Sequence, residues 1–394
     1  MQKKIIVLAI AAALTAPAAF ADTSNVTVYG VADVSYDIVK TGTSAAAAGT
    51  SDNRVSSNTS RLGLKGSEDL GDGLSAIWQI ESLINIGNGS GTSSSTGTGI
   101  GGRNTFAGLS SGSMGTVVLG HHDTPYKIST RKFDVFGDGI ADNRSIMGGQ
   151  SFATVGANAV GVTAVATNPG GFASAAASFD GRQDQVIAYI SPKLGNMFTG
   201  AIAYVNLTPA HATAATQKNS ALSLAGMFDI AGGFYGSLAY EAHDLNTVAV
   251  GAKEKATKLG LGYTQDAFTV GFAYEKNSDN AGALRALAAG ADAFGHNAYY
   301  LSGKYNIGSD AVKAAYTKAG SLANSVNTGA SQFSLGYDHS MSKRTTLYAL
   351  YTRISNNTAG GYTLSNNSSI GGLSTSSGAG ASPSAFAFGM KHTF

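Results

Sequence analysis

The chain has 394 residues, no cysteine, 52 glycines and only 6 prolines, and 13% of it is charged, about half the usual quarter. Its 26 basic and 24 acidic residues give a formal charge of +2; Lys3 and Lys4 supply that excess, so the rest of the chain is balanced. No disulfide framework is possible, and a balanced charge gives no ground for a nucleic-acid partner.

The first segment, "MQKKIIVLAIAAALTAPAAFA", has a basic start at Lys3 and Lys4. An apolar run follows from Ile5 to Leu14, then Ala19-Phe20-Ala21. This pattern reads as a secretory signal peptide over residues 1–21, with one domain over 22–394. Its apolar run is too short to span a bilayer, and no later stretch supplies about 18 apolar residues for a transmembrane helix. The other structure that satisfies its backbone in lipid is a closed β-barrel.

Alternation with the period of a strand begins at once. "NVTVYGVADVSYD" sets Val26, Val28, Gly30, Ala32, Val34 and Tyr36 against Thr27, Tyr29, Asp33, Ser35 and Asp37. "RLGLKG" sets Arg61, Gly63 and Lys65 against Leu62, Leu64 and Gly66. "LSAIWQIES" sets Ala76, Trp78 and Ile80 against Ser75, Gln79 and Glu81. Between the last two lies the turn "SEDLGDG", and after them a long Gly/Ser/Thr stretch, 87–102. Further strands are expected near 103–110, 115–122, 182–191, 196–206, 219–229, 233–243, 254–265, 268–277, 296–306, 311–319, 330–340, 345–355 and 384–394. The expectation is an all-β, antiparallel transmembrane barrel of about 16 strands, an even number. Short turns ("SPKLGN", "DIAGG", "TQDAF", "NIGSD", "SMSKR") alternate with long loops near 38–53, 207–218, 278–295 and 356–382. Tyr36, Tyr189, Tyr204, Tyr240, Tyr263, Tyr274, Tyr316, Tyr337 and Tyr351 fall near strand ends, where they would form interfacial girdles. The last strand, "SAFAFGMKHTF", carries a large, mostly apolar face through to Phe394.

Four stretches carry a resemblance: "VTVYGVADVSY", "SRLGLKGSEDLGDGLSAIWQIES", "GGRNTFAGLSSGSMGTVVLGHHDTPY" and "FAFGMKHTF". The whole chain after residue 21 resembles the trimeric general-diffusion porins of Gram-negative outer membranes, of the β-proteobacterial type. That resemblance implies a passive, water-filled channel for small hydrophilic solutes and ions in the cell outer membrane, without enzymatic activity. It implies a homotrimer among outer-membrane lipid and lipopolysaccharide, and an assembly signal at Phe394 read by the barrel-assembly machinery. No cofactor is expected; the family has calcium-binding members, so a bound calcium ion at an acidic loop stays open, without assigned residues.

The resemblance also implies that loop 3, after the fifth strand, folds inward and narrows the pore. Here it runs over roughly 122–181 and carries Asp123, Lys127, Arg131, Lys132, Asp134, Asp138, Asp142 and Arg144, with Phe133 and Phe136 to pack against the wall. Its second half, "SFATVGANAVGVTAVATNPGGFASAAASFDG", is longer and richer in alanine than the family pattern; it could lie in the pore, at its mouth or outside. Alternation turns Arg61, Lys65 and Arg103 inward, and Arg182 could join them. Acids on the loop facing bases on the wall would set a transverse field, and an anion-favouring channel is one expectation.

Catalytic patterns do not fit this setting. Gly108-Leu109-Ser110-Ser111-Gly112 matches a nucleophile elbow, but a strand follows where a helix is needed. Gly97, Gly99 and Gly102 match a dinucleotide fingerprint without a helix to receive a pyrophosphate. His121 and His122 are adjacent in a strand and point apart. The alternatives are a substrate-specific porin and, further off, an outer-membrane barrel enzyme or an adhesin.

Overall fold

A computed structural model describes residues 25–45, 47–87, 100–148, 179–207, 218–246, 251–282, 287–364, 368–369 and 378–394. The expected signal peptide, most of the stretch 87–102, and most of the alanine-rich segment lie outside the described residues, as do parts of the expected loops near 207–218, 278–295 and 356–382. The strands are β1 (Asn25–Lys40), β2 (Ser51–Asn58), β3 (Arg61–Gly71), β4 (Leu74–Leu83), β5 (Thr105–Ser111), β6 (Gly115–Asp123), β7 (Arg182–Ile190), β8 (Phe198–Asn206) and β9 (Asn219–Ile230). They continue as β10 (Phe234–Leu245), β11 (Lys253–Gln265), β12 (Phe268–Asp279), β13 (Asn297–Ile307), β14 (Asp310–Ala319), β15 (Ala330–Ser340), β16 (Thr345–Asn356), β17 (Ser368–Ser369) and β18 (Ser384–Thr393).

Each strand pairs antiparallel with its neighbours, and β1 closes the sheet by pairing with β18 from Val31↔Thr393 to Lys40↔Ser384. On its other side β1 pairs with β3 over Asn25–Val31 and with β2 over Val34–Lys40. β2 and β3 are thus one wall strand, broken at Thr59 (φ 53°) and Ser60. β17 adds a two-residue pairing to β2. Counted this way, the described residues form a closed wall of sixteen strands. The loop expected over 38–53 is corrected: β1 extends to Lys40 and β2 begins at Ser51. "SDNRVSSN" turns only Val55 outward as a large apolar residue, so it lacks the alternation of a lipid-facing strand.

Outward residues are apolar and exposed, among them Val26, Leu64, Leu119, Ile202, Leu238, Leu301 and Phe388. A soluble protein does not leave so wide an apolar surface uncovered; lipid is the solvent that suits it. Outward aromatics meet across neighbouring strands in two rows. Phe198–Phe228, Phe234–Tyr263 and Phe268–Tyr305 lie toward the short turns, Tyr274–Tyr299 and Tyr351–Phe386 toward the long loops. These are the girdles expected of the tyrosines at strand ends. Because the ladder has no free edge, the protein in detergent should stay compact without boiling. Unheated and heated samples should therefore migrate differently on a gel; identical mobility would contradict the closed wall.

Candidate pore and constriction

The inner face of β9–β12 carries many small residues (Ala221, Ser223, Ala225, Ser237, Ala239, Ala256, Gly260, Gly262, Gly271 and Ala273) among larger polar ones such as Lys258 and Glu275. That leaves room for the segment after β6, which folds into the barrel. It begins with a helical turn, Pro125–Ile128, capped by Thr124, whose side chain accepts from the Lys127 N–H. Tyr126 is fully buried and donates its hydroxyl to Glu275 Oε2 (2.6 Å). Phe133 lies where side chains on Gly260, Gly262 and Gly271 would stand; a Cβ at Gly271 would come 2.7 Å from its own. Its carbonyl accepts from Ser302 Oγ (2.7 Å). Phe136 packs against Gly336 in the same way, with Lys313 Nζ 4.9 Å from its ring centre. On the return path the Gly148 N–H donates to Glu275 Oε1 (2.9 Å), and Lys258 Nζ meets Asp180 Oδ1 at 2.6 Å.

Between these anchors the loop crosses toward β3. Asp138, at φ 74°, a left-handed conformation that Asp tolerates, stands at the crossing point. Its carboxylate accepts from Arg61 Nη1 (3.2 Å) and Arg131 Nη2 (2.7 Å), and its carbonyl accepts from the Thr59 hydroxyl (3.1 Å). Arg131 also reaches Asp142 (3.0 Å) and Asp134 (3.5 Å), and Arg144 reaches Asp142 (3.1 Å). On the wall, Arg103 pairs closely with Glu81, and Arg61 Nε lies 3.8 Å from Glu81. Arg182 and Lys127 share Asp123 at 3.1 and 2.6 Å.

The cluster therefore gathers Arg61, Arg103, Asp123, Arg131, Asp134, Asp138, Asp142, Arg144 and Arg182, as the sequence suggested, but not in the expected arrangement. Asp138 stands against the wall base Arg61, but Asp134 and Asp142 do not face the wall bases. Asp134 and Asp142 are 1% and 0% exposed, whereas Arg131 and Arg61 keep 27% and 20%. Asp134 and Asp142 form an inner layer under Arg131, whereas Asp138 stays 22% exposed beside Arg61. The layering comes from the loop's own tight turns, which period-two alternation cannot foresee.

Two expected members lie elsewhere. Lys65 faces inward but sits four residues along β3 from Arg61, roughly 13 Å nearer the turn end, exposed, with Nζ 5.2 Å from the Tyr29 ring centre. Lys132 turns away toward the short-turn rim, where it meets Asp229 (3.1 Å) and the Tyr235 ring. Glu81 was missed as a site residue. Its inward parity was readable, but only the fold shows that it joins Arg61, Arg103 and the Tyr29 hydroxyl (2.9 Å). Aromatics also line the lumen: Tyr29, Tyr235, Tyr300 and Tyr348 all point inward, and Tyr300 donates to Asp134 Oδ1 (2.9 Å).

Burial opposes ionisation of the loop acids, and their partners decide the outcome. Arg131 and then Arg61 overcome burial at Asp138 and hold it at about 2. Arg131 and Arg144 hold Asp142 far below the usual range. Burial, then the neighbouring Asp142 charge, pushes Asp134 up to about 6. A carboxyl whose folded value lies above its ordinary 3.8 favours the neutral form. Its stabilising contribution is full below about pH 4 and is lost as pH rises through about 6. Acidification from pH 7.5 to 5 also removes a negative charge from the waist. The reversal potential in a potassium chloride gradient should then move toward anion preference by a few millivolts. The Asp134→Asn variant should lose that shift; a variant that keeps it would exclude Asp134 as its source.

A closed sixteen-strand wall with an inward loop and a charged waist is the geometry of a pore. The sequence profile of the family described as Gram-negative porin matches residues 8–359. The chain belongs to the Gram-negative porin family. Among curated relatives, this porin is 29% identical to outer membrane porin protein 32 of Delftia acidovorans over 88% of each chain. It is 35% identical to an outer membrane porin protein of Bordetella pertussis over 39% of this chain and 42% of that one. Among solved structures, the anion-selective porin from Comamonas acidovorans superposes with a TM-score of 0.70, at 24% identity, covering 94% of this chain and all of the other. In-vitro folded OmpT of Vibrio cholerae reaches 0.61 at 13% identity, covering 96% of this chain and 100% of that one. The porin is a channel protein of the cell outer membrane.

Proposed function

We propose that this porin passes small hydrophilic solutes and ions by passive diffusion, favours anions, and has no catalytic role and no required cofactor. One observation carries the anion preference: at the waist the guanidiniums of Arg131 and Arg61 keep 27% and 20% of their surface open while Asp134 and Asp142 lie beneath them, and Asp138, 22% exposed, is held between those two arginines. An ion passing within a Debye length, about 8 Å in physiological salt, meets positive charge first. The relative from Comamonas acidovorans is named as anion-selective, which agrees with this reading. The porin works as a trimer, with the subunit contact on the outward face of β1–β6. That face is chiefly aliphatic (Val26, Val28, Leu62, Leu64, Leu109, Leu119), whereas the paired outward aromatics lie on β8–β18. Residues 1–21 direct export and are removed, and Phe394 serves assembly.

Replacing Arg61 and Arg103 together by glutamine tests the selectivity. Glu81 then loses both cations and Asp138 loses one, so the reversal potential in a potassium chloride gradient should move toward cations. The change should shrink in high salt, and conductance should change less. An unchanged reversal potential at low salt would mean that these arginines do not govern ion choice.

A further inference from the structure

A cavity of about 240 Å³ lies between the inward loop and the wall. Val135, Phe136 and Ile140 of the loop and Leu350 and Ala387 of the wall give it an apolar lining. Most of its polar groups are already answered. Lys313 pairs with Asp338 at 2.8 Å. Asp134 accepts from the Tyr300 hydroxyl and from the N–H groups of Phe136 and Asn143. Two charges are left over. Asp33 on β1 is 6% exposed and lines the cavity, yet it has no ion pair among the described residues. Its Oδ1 accepts from the Tyr348 hydroxyl (2.7 Å) and the Asn58 amide (3.4 Å), while Oδ2 has no partner among the described residues. Lys391 on β18 also lines the cavity and stands directly opposite Asp33 in the ladder. Side chains so placed have Cβ atoms about 4.5–5.5 Å apart, but these two do not meet, and Lys391 too has no ion pair among the described residues. Asn58, 3% exposed, adds a buried Oδ1 without a hydrogen-bond partner.

We propose that this cavity is a subsite for a small zwitterion of the α-amino-acid class with an apolar side chain. The ammonium bridges Asp33 Oδ2 and Asn58 Oδ1, the carboxylate meets Lys391, and the side chain lies on Phe136, Ile140, Leu350 and Ala387. The proposal rests on the pore reading and names a solute class for it. The unanswered groups select the occupant. A carboxylate oxygen and an amide oxygen without donors are costly to bury, and an ammonium brings three donors to them. A simple cation would leave Lys391 unanswered, and a simple anion would leave Asp33 so. The volume falls below the roughly 300–1,000 Å³ of drug-sized sites, which suits a solute of amino-acid size. A waist that favours anions does not turn away a molecule of zero net charge.

The test titrates the full folded porin in neutral detergent with L-leucine, read by ligand-observed nuclear magnetic resonance. Two comparison ligands each lack one charge: 4-methylpentanoate has no ammonium, and 3-methylbutylamine has no carboxylate. Leucine should bind at least tenfold more tightly than either, and at least tenfold more tightly than glycine, which has no apolar side chain. Asp33→Asn should remove the advantage of leucine over 4-methylpentanoate, and Lys391→Gln its advantage over 3-methylbutylamine. Equal binding of leucine and either comparison ligand by the unaltered porin would overturn the proposal, and this result does not depend on a variant folding. So would a folded Asp33→Asn or Lys391→Gln porin that keeps the full preference, since the site would then lie elsewhere. Failure of the pore reading or of the anion reading would show separately, in the conductance and reversal potential recorded in potassium chloride without leucine.

Discussion

Arg131→Ala should open the pore and turn its ion preference toward cations. Arg131 is the one side chain that touches all three loop carboxylates, Asp134, Asp138 and Asp142, at 3.5, 2.7 and 3.0 Å. Asp138 keeps Arg61 and Asp142 keeps Arg144, but Asp134 loses its ion partner while 1% exposed. Tyr300, Phe136 and Asn143 still donate to it, so the cost stays below the about 3–5 kcal/mol of a wholly uncompensated buried charge, but the carboxylate layer loses its shared cation. The crossing segment should detach from Arg61, raise single-channel conductance and make the open current noisy. The barrel should survive, because its ladder does not pass through the loop. Adding Asp134→Asn to Arg131→Ala should restore part of the quiet, lower conductance by removing the stranded charge. A quiet single variant with wild-type reversal potential would show that the ionic layer does not hold the waist.

Phe394→Asp should reduce the amount of folded protein in the outer membrane by tenfold or more, while the molecules that do fold conduct normally. Phe394 exchanges two backbone hydrogen bonds with Gly30, donating at 3.1 Å and accepting at 2.9 Å. Its ring lies over Gly30 on the outward face, where a Cβ would come 2.8 Å from ring atom Cε2 and 2.7 Å from the Arg61 carbonyl. The aromatic covers the joint that makes the sheet a barrel. An aspartate there stands at the short-turn rim, where a charge costs at most about 0–1 kcal/mol, so the defect falls on closing the joint and not on the stability of the finished wall. Gly30→Val should give the same defect with Phe394 intact, because the branched side chain needs the space the ring occupies. Phe394→Tyr should be tolerated. Normal membrane levels of both Phe394→Asp and Gly30→Val would remove the joint from the account of assembly.

The wall was legible in the sequence because lipid enforces alternation: an outward position must be apolar, and a slip of one residue would turn every side chain to the wrong face. Where lipid does not touch the chain, that constraint goes, and so did the reading. β2 has no apolar stripe, so its first residues fall within the loop expected over 38–53, and only its pairing with β1 makes it part of the wall. Arg61 and Arg103 were found by parity, and so was Lys65, but parity gives the side of the sheet and not the depth, and Lys65 sits too far toward the turns. Lys132 and Arg131 are neighbours on one charged stretch. A tight turn, Arg131–Phe133, sends one to the carboxylate layer and the other to Asp229, and no period in the sequence marks the split.

The missing side chains at Gly260, Gly262 and Gly271 have a consequence for sieving. Strand number fixes the outer perimeter of a barrel, but how far the loop reaches toward the axis depends on how deeply Phe133 recesses into the wall. The two dimensions are therefore decoupled. A methyl group at Gly262 would force the ring, and the loop with it, toward the axis, lowering the size cut-off without altering a single wall hydrogen bond. A lineage could retune which nutrients or antibiotics enter by exchanging glycine and alanine on two strands, while the exterior stays matched to the same membrane thickness.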